Sequence, residues 1–276
     1  MSEARFEFGS NWKSFLETLD EDRIQKACDS LRSLLQLDPS DDQPLDGKTF
    51  LDVGSGSGLF SLAAYRFGAN VTSIDFDPQC VACTDELRSR EEAERKRWVL
   101  RQGSALDEAL MRSLGEFDVV YSWGVLHHTG EMKRGIVLAA QCVGANGWFG
   151  LAIYNDQGSA SRRWLAIKRL YNRLPAALRP CWVVMVAGWY ETKFALARLA
   201  RGKNPLPLAD WRAKRADRGM SAWHDWVDWV GGLPFEVAKP EQVVMPLLES
   251  GFQLTNLKTV GNGWGCNEFV FRRSGK

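Results

Sequence analysis

The sequence predicts an α/β protein: a mostly parallel seven-stranded sheet with helices on both faces, an N-terminal helical cap and an α-helical insertion serving as a lid. Three observations predict it. From residue 47 to 154, short apolar runs alternate with helix-length segments, the signature of βαβ units. One of these runs feeds directly into a glycine-rich turn, which a helix-length segment follows. A stretch from about residue 155 to 239 breaks the alternation, which then resumes. The boundaries that follow are a cap over 1–46, a core over 47–154, the insertion over 155–239 and completion of the core over 240–276.

In the cap, Trp12, Phe15, Leu16 and Leu19 recur at helical spacing, and Ile24, Ala27, Leu31 and Leu34 continue it. Two amphipathic helices are predicted, closed at Asp38-Pro39 because proline cannot extend a helix. The predicted core strands are Thr49 to Val53, Asn70 to Ile74, Trp98 to Arg101, Phe117 to Ser122 and Trp148 to Tyr154. Beyond the insertion, Pro240 to Ser250 reads as a helix, and Phe252 to Val260 and Asn267 to Arg272 as strands. The glycine-rich GNGWG between these two strands makes them an antiparallel pair at one edge.

The insertion is compositionally separate. It holds 7 of the 12 tryptophans, and between Gln157 and Met220 there are 14 Lys/Arg against 3 Asp/Glu in a chain whose net charge is +1. Trp164, Ile167, Leu170, Tyr171 and Leu174 define an apolar helical face, with Arg162, Arg163, Lys168, Arg169 and Arg173 mostly off it. Cys181 to Tyr190 is a ten-residue apolar run, too short to span a bilayer. Such a segment lies in a membrane interface, attracts an anionic acceptor, or packs as a lid with solvated charges.

At 45% hydrophobic and 25% charged residues, the composition is that of a folded globular chain and not a disordered one. The near-neutral total argues against a nucleic-acid binder. An N-terminus without an apolar signal core, and six scattered cysteines, lead us to expect a cytoplasmic protein, with a membrane-peripheral location open through the basic insertion. Cys80 and Cys83 form a C-x-x-C, but inside a predicted helix and with no second pair at zinc spacing, so no metal is expected.

The sharpest motif is TFLDVGSGSGLFSLAAYRFGANVTSIDFDP. The first strand enters Gly54, Ser55, Gly56, Ser57 and Gly58, and the next strand ends at Asp75, 21 residues after Gly54. Glycines let the backbone turn sharply and approach a ligand, and an acid at the following strand end can accept hydrogen bonds from two ribose hydroxyls. A nucleoside-containing cofactor is implied, with Asp77 an alternative to Asp75. A dinucleotide fingerprint would need glycine where Leu59 stands, which counts against a dehydrogenase.

This set, over residues 47 to 154 plus the C-terminal strands, resembles the class I S-adenosylmethionine-dependent methyltransferases, whose sheet is Rossmann-like. The resemblance implies S-adenosyl-L-methionine as cofactor. Carried over by position, Asp52, Gly54, Ser55, Gly56 and Gly58 lie against its methionine part, Asp75 with Phe76 beside it holds the ribose, and Gly103, Ser104 and Ala105 meet the adenine. Many relatives carry an acid where this chain has Ser104. The segment FDVVYSWGVLHHTG resembles the fourth motif of the small-molecule, ubiquinone-biosynthesis-type members, which places Trp123 by the cofactor and His127 and His128 at the reacting edge.

Methyl transfer to a hydroxyl requires loss of a proton, and histidine titrates near neutrality. His127 and His128 are therefore candidate bases. GMSAWHDWVDWVGG adds His224 as a rival and Trp223 and Trp226 as an aromatic wall for a flat or apolar acceptor, or else as a hydrophobic seam within the insertion. The expected activity is O-methylation of a small molecule. The alternatives are methylation of a lipid-like acceptor at a membrane surface and a non-catalytic cofactor-binding module.

Overall fold

The computed structural model describes Leu16, residues 19–202, residues 204–206 and residues 222–275. The first predicted cap helix, apart from Leu16 and Leu19, lies outside the described residues, as does Trp211. The second is α1, Glu21–Leu35, opened by the Asp20 carboxylate accepting the Arg23 amide at 3.0 Å. It buries Ile24, Ala27, Leu31 and Leu34, the four residues whose spacing predicted it.

The core follows as β1 (Thr49–Val53), α2 (Leu59–Arg66), β2 (Asn70–Asp75), α3 (Pro78–Arg90), β3 (Trp98–Gln102), α4 (Glu108–Leu114), β4 (Phe117–Trp123), α5 (Met132–Gln141) and β5 (Val143–Tyr154). The insertion contributes α6 (Ser159–Arg173), α7 (Arg179–Leu199) and α8 (Ala222–Gly231). The chain then returns through α9 (Pro240–Glu249), β6 (Phe252–Lys258) and β7 (Cys266–Arg273). The seven strands form one sheet in the order β3-β2-β1-β4-β5-β7-β6. β1 to β5 run parallel, whereas β7 is antiparallel to β6, as the glycine-rich connection predicted, and also to β5.

Alternation along the strands builds a core on each face of the sheet. Leu51, Val53, Val120, Phe149 and Leu151 pack on one face with Ile136 of α5 and Val243 and Leu247 of α9. Phe50, Val71, Trp98, Val119 and Tyr121 pack on the other with Leu62 of α2 and Leu31 and Leu34 of α1. Two-sided burial explains why the parallel strands read as continuous apolar runs. β5 starts five residues earlier than its sequence pattern indicates, pairing Val143 with Phe117. Gly144 and Gly147 look like turn residues, yet they serve a bulge. A Cβ on Gly147 would sit 3.0 Å from the Phe117 and Asp118 carbonyls.

Two compact units are distinguishable, one formed by Gly158–Pro234 and the other by the sheet with its flanking helices. Within the first, Trp164 of α6 stacks on Tyr190 of α7 with ring centroids 4.9 Å apart, and Trp229 and Trp226 of α8 complete the cluster. Lys168, buried in the same seam, donates from Nζ to the Trp229 carbonyl at 2.7 Å, so its charge ends on a peptide oxygen. No helix among the described residues is long and apolar enough to cross a membrane.

Candidate active site

The glycine loop begins where β1 ends. Gly54, Gly56 and Gly58 all adopt positive φ, and Gly58 starts α2 from that left-handed conformation. The amides of Gly54 and Ser55 both donate to the Ile74 carbonyl at 2.8 and 3.1 Å, tying the loop to β2. Gly54 is required on a second ground: a Cβ there would meet Val125 at 2.3 Å, so the loop after β1 and the loop after β4 touch.

Asp75 joins three strand ends. Its Oδ2 accepts the Gly56 amide at 2.9 Å, its Oδ1 accepts the Asp77 amide at 2.9 Å, and its carbonyl accepts the Gly103 amide at 2.8 Å. A carboxylate offers about four acceptor positions, and these bonds use two of them. Burial pushes the Asp75 carboxyl above the usual range, the Gly56 and Asp77 amides opposing that shift. Asp77, the alternative acid, is engaged instead as the N-cap of α3, accepting the Gln79 amide at 2.8 Å. Phe76, beside Asp75, is 54% exposed.

Asp52 is buried in β1, two residues before Gly54. Its Oδ2 accepts the Ser61 hydroxyl at 2.5 Å, Ser61 contacts Ser73 at 2.7 Å, and Ser73 accepts Trp98 Nε1 at 2.9 Å. Burial pushes the Asp52 carboxyl up to about 7, with the Ser61 hydrogen bond opposing and the Asp75 charge reinforcing the rise. The folded value lies above the ordinary one of 3.8, so the native state holds an extra proton between the two. The resulting stabilisation is complete below about pH 4 and is lost as pH rises through 7. Asp52→Asn removes this titration. Its unfolding free energy should fall less steeply than that of the native chain between pH 4 and 8, by up to about 4 kcal/mol in urea melts. Parallel slopes would show that Asp52 does not titrate there.

At the end of β3, Gly103 has Leu110 where a Cβ would be, 2.1 Å away. The Ser104 hydroxyl accepts the Leu106 amide at 3.1 Å, and Ala105 packs partly against the core. Trp123, at the end of β4, is half-buried, lies 6.3 Å from Phe60 ring to ring, and donates from Nε1 to Glu268 at 3.2 Å.

The two histidines occupy a 3-10 turn, Leu126–His128, just past β4. They are not equivalent. His127 is fully buried, its ring centroid 3.9 Å from that of Tyr154, and its Nδ1 accepts the Tyr154 amide at 3.4 Å. His128 is half-exposed, 4.5 Å from His127 and edge-on to Tyr154 at 5.3 Å. Glu236 secures the turn from the other side. Its amide donates to the His127 carbonyl at 2.9 Å, and its carboxylate accepts the Met132 amide at the start of α5 at 2.9 Å. Burial raises the Glu236 carboxyl, which the Met132 amide counteracts.

Strand register brings these groups to one edge. Val53 is opposite Ile74, Asp52 opposite Tyr121, Trp123 opposite Ala152 and Tyr154 opposite Cys266. The glycine loop, Asp75, Gly103, Trp123 and the histidine turn therefore share the carboxyl edge of the parallel strands, where ligands of open α/β sheets bind. Trp226 of the separate unit contributes to its internal aromatic cluster, 6.2 Å from Tyr190, and Trp223 is 44% exposed. His224 lies in α8, with its side chain outside the described residues. Tyr154, Glu236 and Thr84, whose hydroxyl lies 3.0 Å from that of Ser55, carry no sequence signal for a site.

A family model described as a methyltransferase domain matches residues 19–202, more than half of the chain. The chain belongs to the methyltransferase-domain family. Among curated relatives, this chain is 30% identical over 123 residues to a ubiquinone biosynthesis O-methyltransferase of Escherichia coli O7:K1, covering 44% of this chain and 48% of that one. It is also 46% identical over 56 residues to a ribosomal protein L11 methyltransferase of Photobacterium profundum, covering 20% and 17%. The chain thus spans less than half the length of these relatives. In fold it is similar to magnesium protoporphyrin IX methyltransferase from Synechocystis PCC 6803 with bound SAH, at a TM-score of 0.53 and 15% identity over 91% of this chain and 84% of that one. The residues present fit S-adenosylmethionine: a positive-φ glycine loop, an acid with acceptor capacity to spare at the end of β2, and an exposed aromatic ring beside it.

Proposed function

We propose that this protein transfers a methyl group from S-adenosylmethionine to a hydroxyl oxygen of a small-molecule acceptor, with His128 as the general base. The observation that carries this reading is the shared sheet edge on which a half-exposed imidazole and the Asp75–Gly56 clasp both lie. When bound, the cofactor supplies a methyl group on a sulfonium, which an oxygen nucleophile displaces. Gly54, Gly56 and Gly58 keep the loop backbone open to the methionine part, Asp52 braces the loop from β1 through its hydrogen bond with Ser61, Asp75 accepts from the ribose, and Phe76 flanks the adenine with Gly103, Ser104 and Ala105. His128 takes the acceptor's hydroxyl proton. His127 and Tyr154 support that ring from behind, and Glu236 holds the turn.

The six cysteines form no disulfide, which suits a reducing compartment, and we assign the cytoplasm. Incubation with methyl-labelled cofactor and a host extract tests the activity, the labelled product being resolved by mass spectrometry. His128→Ala should lower turnover by about 10²- to 10⁴-fold with cofactor affinity unchanged. His127→Ala should instead destabilise the fold by about 2–3 kcal/mol through loss of a buried ring. Cofactor binding with no labelled product in any fraction would favour a non-catalytic cofactor-binding module. Label in the lipid fraction alone would favour a lipid-like acceptor.

A further inference from the structure

The helix α7 is apolar on two faces, and its own unit covers only one of them. Val183 and Val186 are buried at 1% and 6% exposure, and Tyr190 stacks on Trp164 from the same side. On the opposite side Val184, Met185, Trp189, Leu196 and Leu199 are 54 to 70% exposed. At about 100° per residue these five fall within an arc of about 140°, and every charged residue of the helix, Arg179, Glu191, Lys193 and Arg198, projects outside it. A charge-free stripe running the length of a 21-residue helix is far more apolar surface than scattered exposure provides.

We propose that this stripe docks on the surface of an anionic lipid bilayer, with α7 lying in the interface plane. Charge selects the occupant. The unit bearing α7 falls in the segment with 14 Lys/Arg against 3 Asp/Glu, and Arg162, Arg163, Arg173, Lys193 and Arg201 are exposed on it. Apolar insertion flanked by cations is the recognition chemistry of anionic membranes, and an exposed indole such as that of Trp189 favours the headgroup level. A second copy of the chain would oppose one strongly basic unit to another. The helix is long enough to span but lacks the continuous apolarity a span requires, so it lies along the bilayer and does not cross it.

The inference stands independently of the methyltransferase reading, because vesicle binding is measured without cofactor or acceptor. The full chain is sedimented with phosphatidylcholine vesicles containing 30% phosphatidylglycerol, and with pure phosphatidylcholine vesicles. Binding is expected to the anionic vesicles, weakening with salt, and at least tenfold less to the neutral ones. The Met185→Glu/Trp189→Glu double variant, altered only at exposed positions, is expected to lose at least tenfold of that binding while retaining its urea midpoint. Wild-type protein left in the supernatant with anionic vesicles at low salt, equal binding to both lipid compositions, or unchanged binding by the double variant would each overturn the proposal. So would lipid-free sedimentation showing a dimer that the double substitution dissociates.

Discussion

Gly54→Ala is expected to cost about 3 kcal/mol of folding stability and to abolish cofactor binding, the two effects arising from one added methyl group. Gly54 has φ of +83°, where an L side chain costs about 1–2 kcal/mol, and the new Cβ would lie 2.3 Å from Val125. Relief requires the loop after β4 to retreat, and that loop carries His127 and His128. The Val125→Ala substitution removes the two nearest atoms, at 2.3 and 2.5 Å, and leaves the third at 2.9 Å. The double variant should recover the part of the loss due to collision and none of the part due to φ. Urea denaturation of the four proteins in the cycle reads this directly. Strict additivity would mean that the loops do not press on each other.

Asp75→Asn is expected to weaken S-adenosylmethionine binding about a hundredfold or more, since hydrogen bonds to a charged acceptor contribute about 1.5–3 kcal/mol each. The replacement is nearly isosteric, yet its amide nitrogen cannot accept, and both carboxylate oxygens already take a backbone amide, from Gly56 and Asp77. One of those donors is left facing another donor. Calorimetric titration measures the affinity, and a parallel melt separates lost ligand contact from a loosened loop. An affinity within threefold of the native chain would remove Asp75 from the cofactor site. Asp77→Asn provides the comparison: it should lower stability by about 1 kcal/mol through its capping role and leave affinity nearly intact.

The two acids also show how far a sequence can be read. Both stand in IDFDP, at a spacing from the glycine loop that permits either to reach a ribose. Their division of labour depends on where the Gly56 amide points once the loop has folded, which is a three-dimensional fact. The histidine pair behaves alike. Adjacent in VLHH, they differ because the turn buries one ring on Tyr154 and leaves the other half-exposed. Tyr154 and Glu236 arrive from 27 and 109 positions further along the chain, so no local pattern announces them. The tryptophans of WHDWVDWVGG divided too: Trp226 and Trp229 fill their own unit, whereas Trp223 is exposed.

By itself the sequence determined the elements and their class. Helical and strand periodicities are local, and they located α1, the parallel strands and the antiparallel pair to within a few residues. It also determined the motif that fits the cofactor, because positive φ and an acid at a fixed remove are properties of a short contiguous segment. The tertiary structure alone decided which groups meet. It set Val125 against Gly54, drew Asp52 into a buried hydroxyl chain, left His128 less buried than His127 and left one face of α7 uncovered. Such contacts join segments far apart in the chain, and their geometry is fixed only when the two cores close on either side of the sheet.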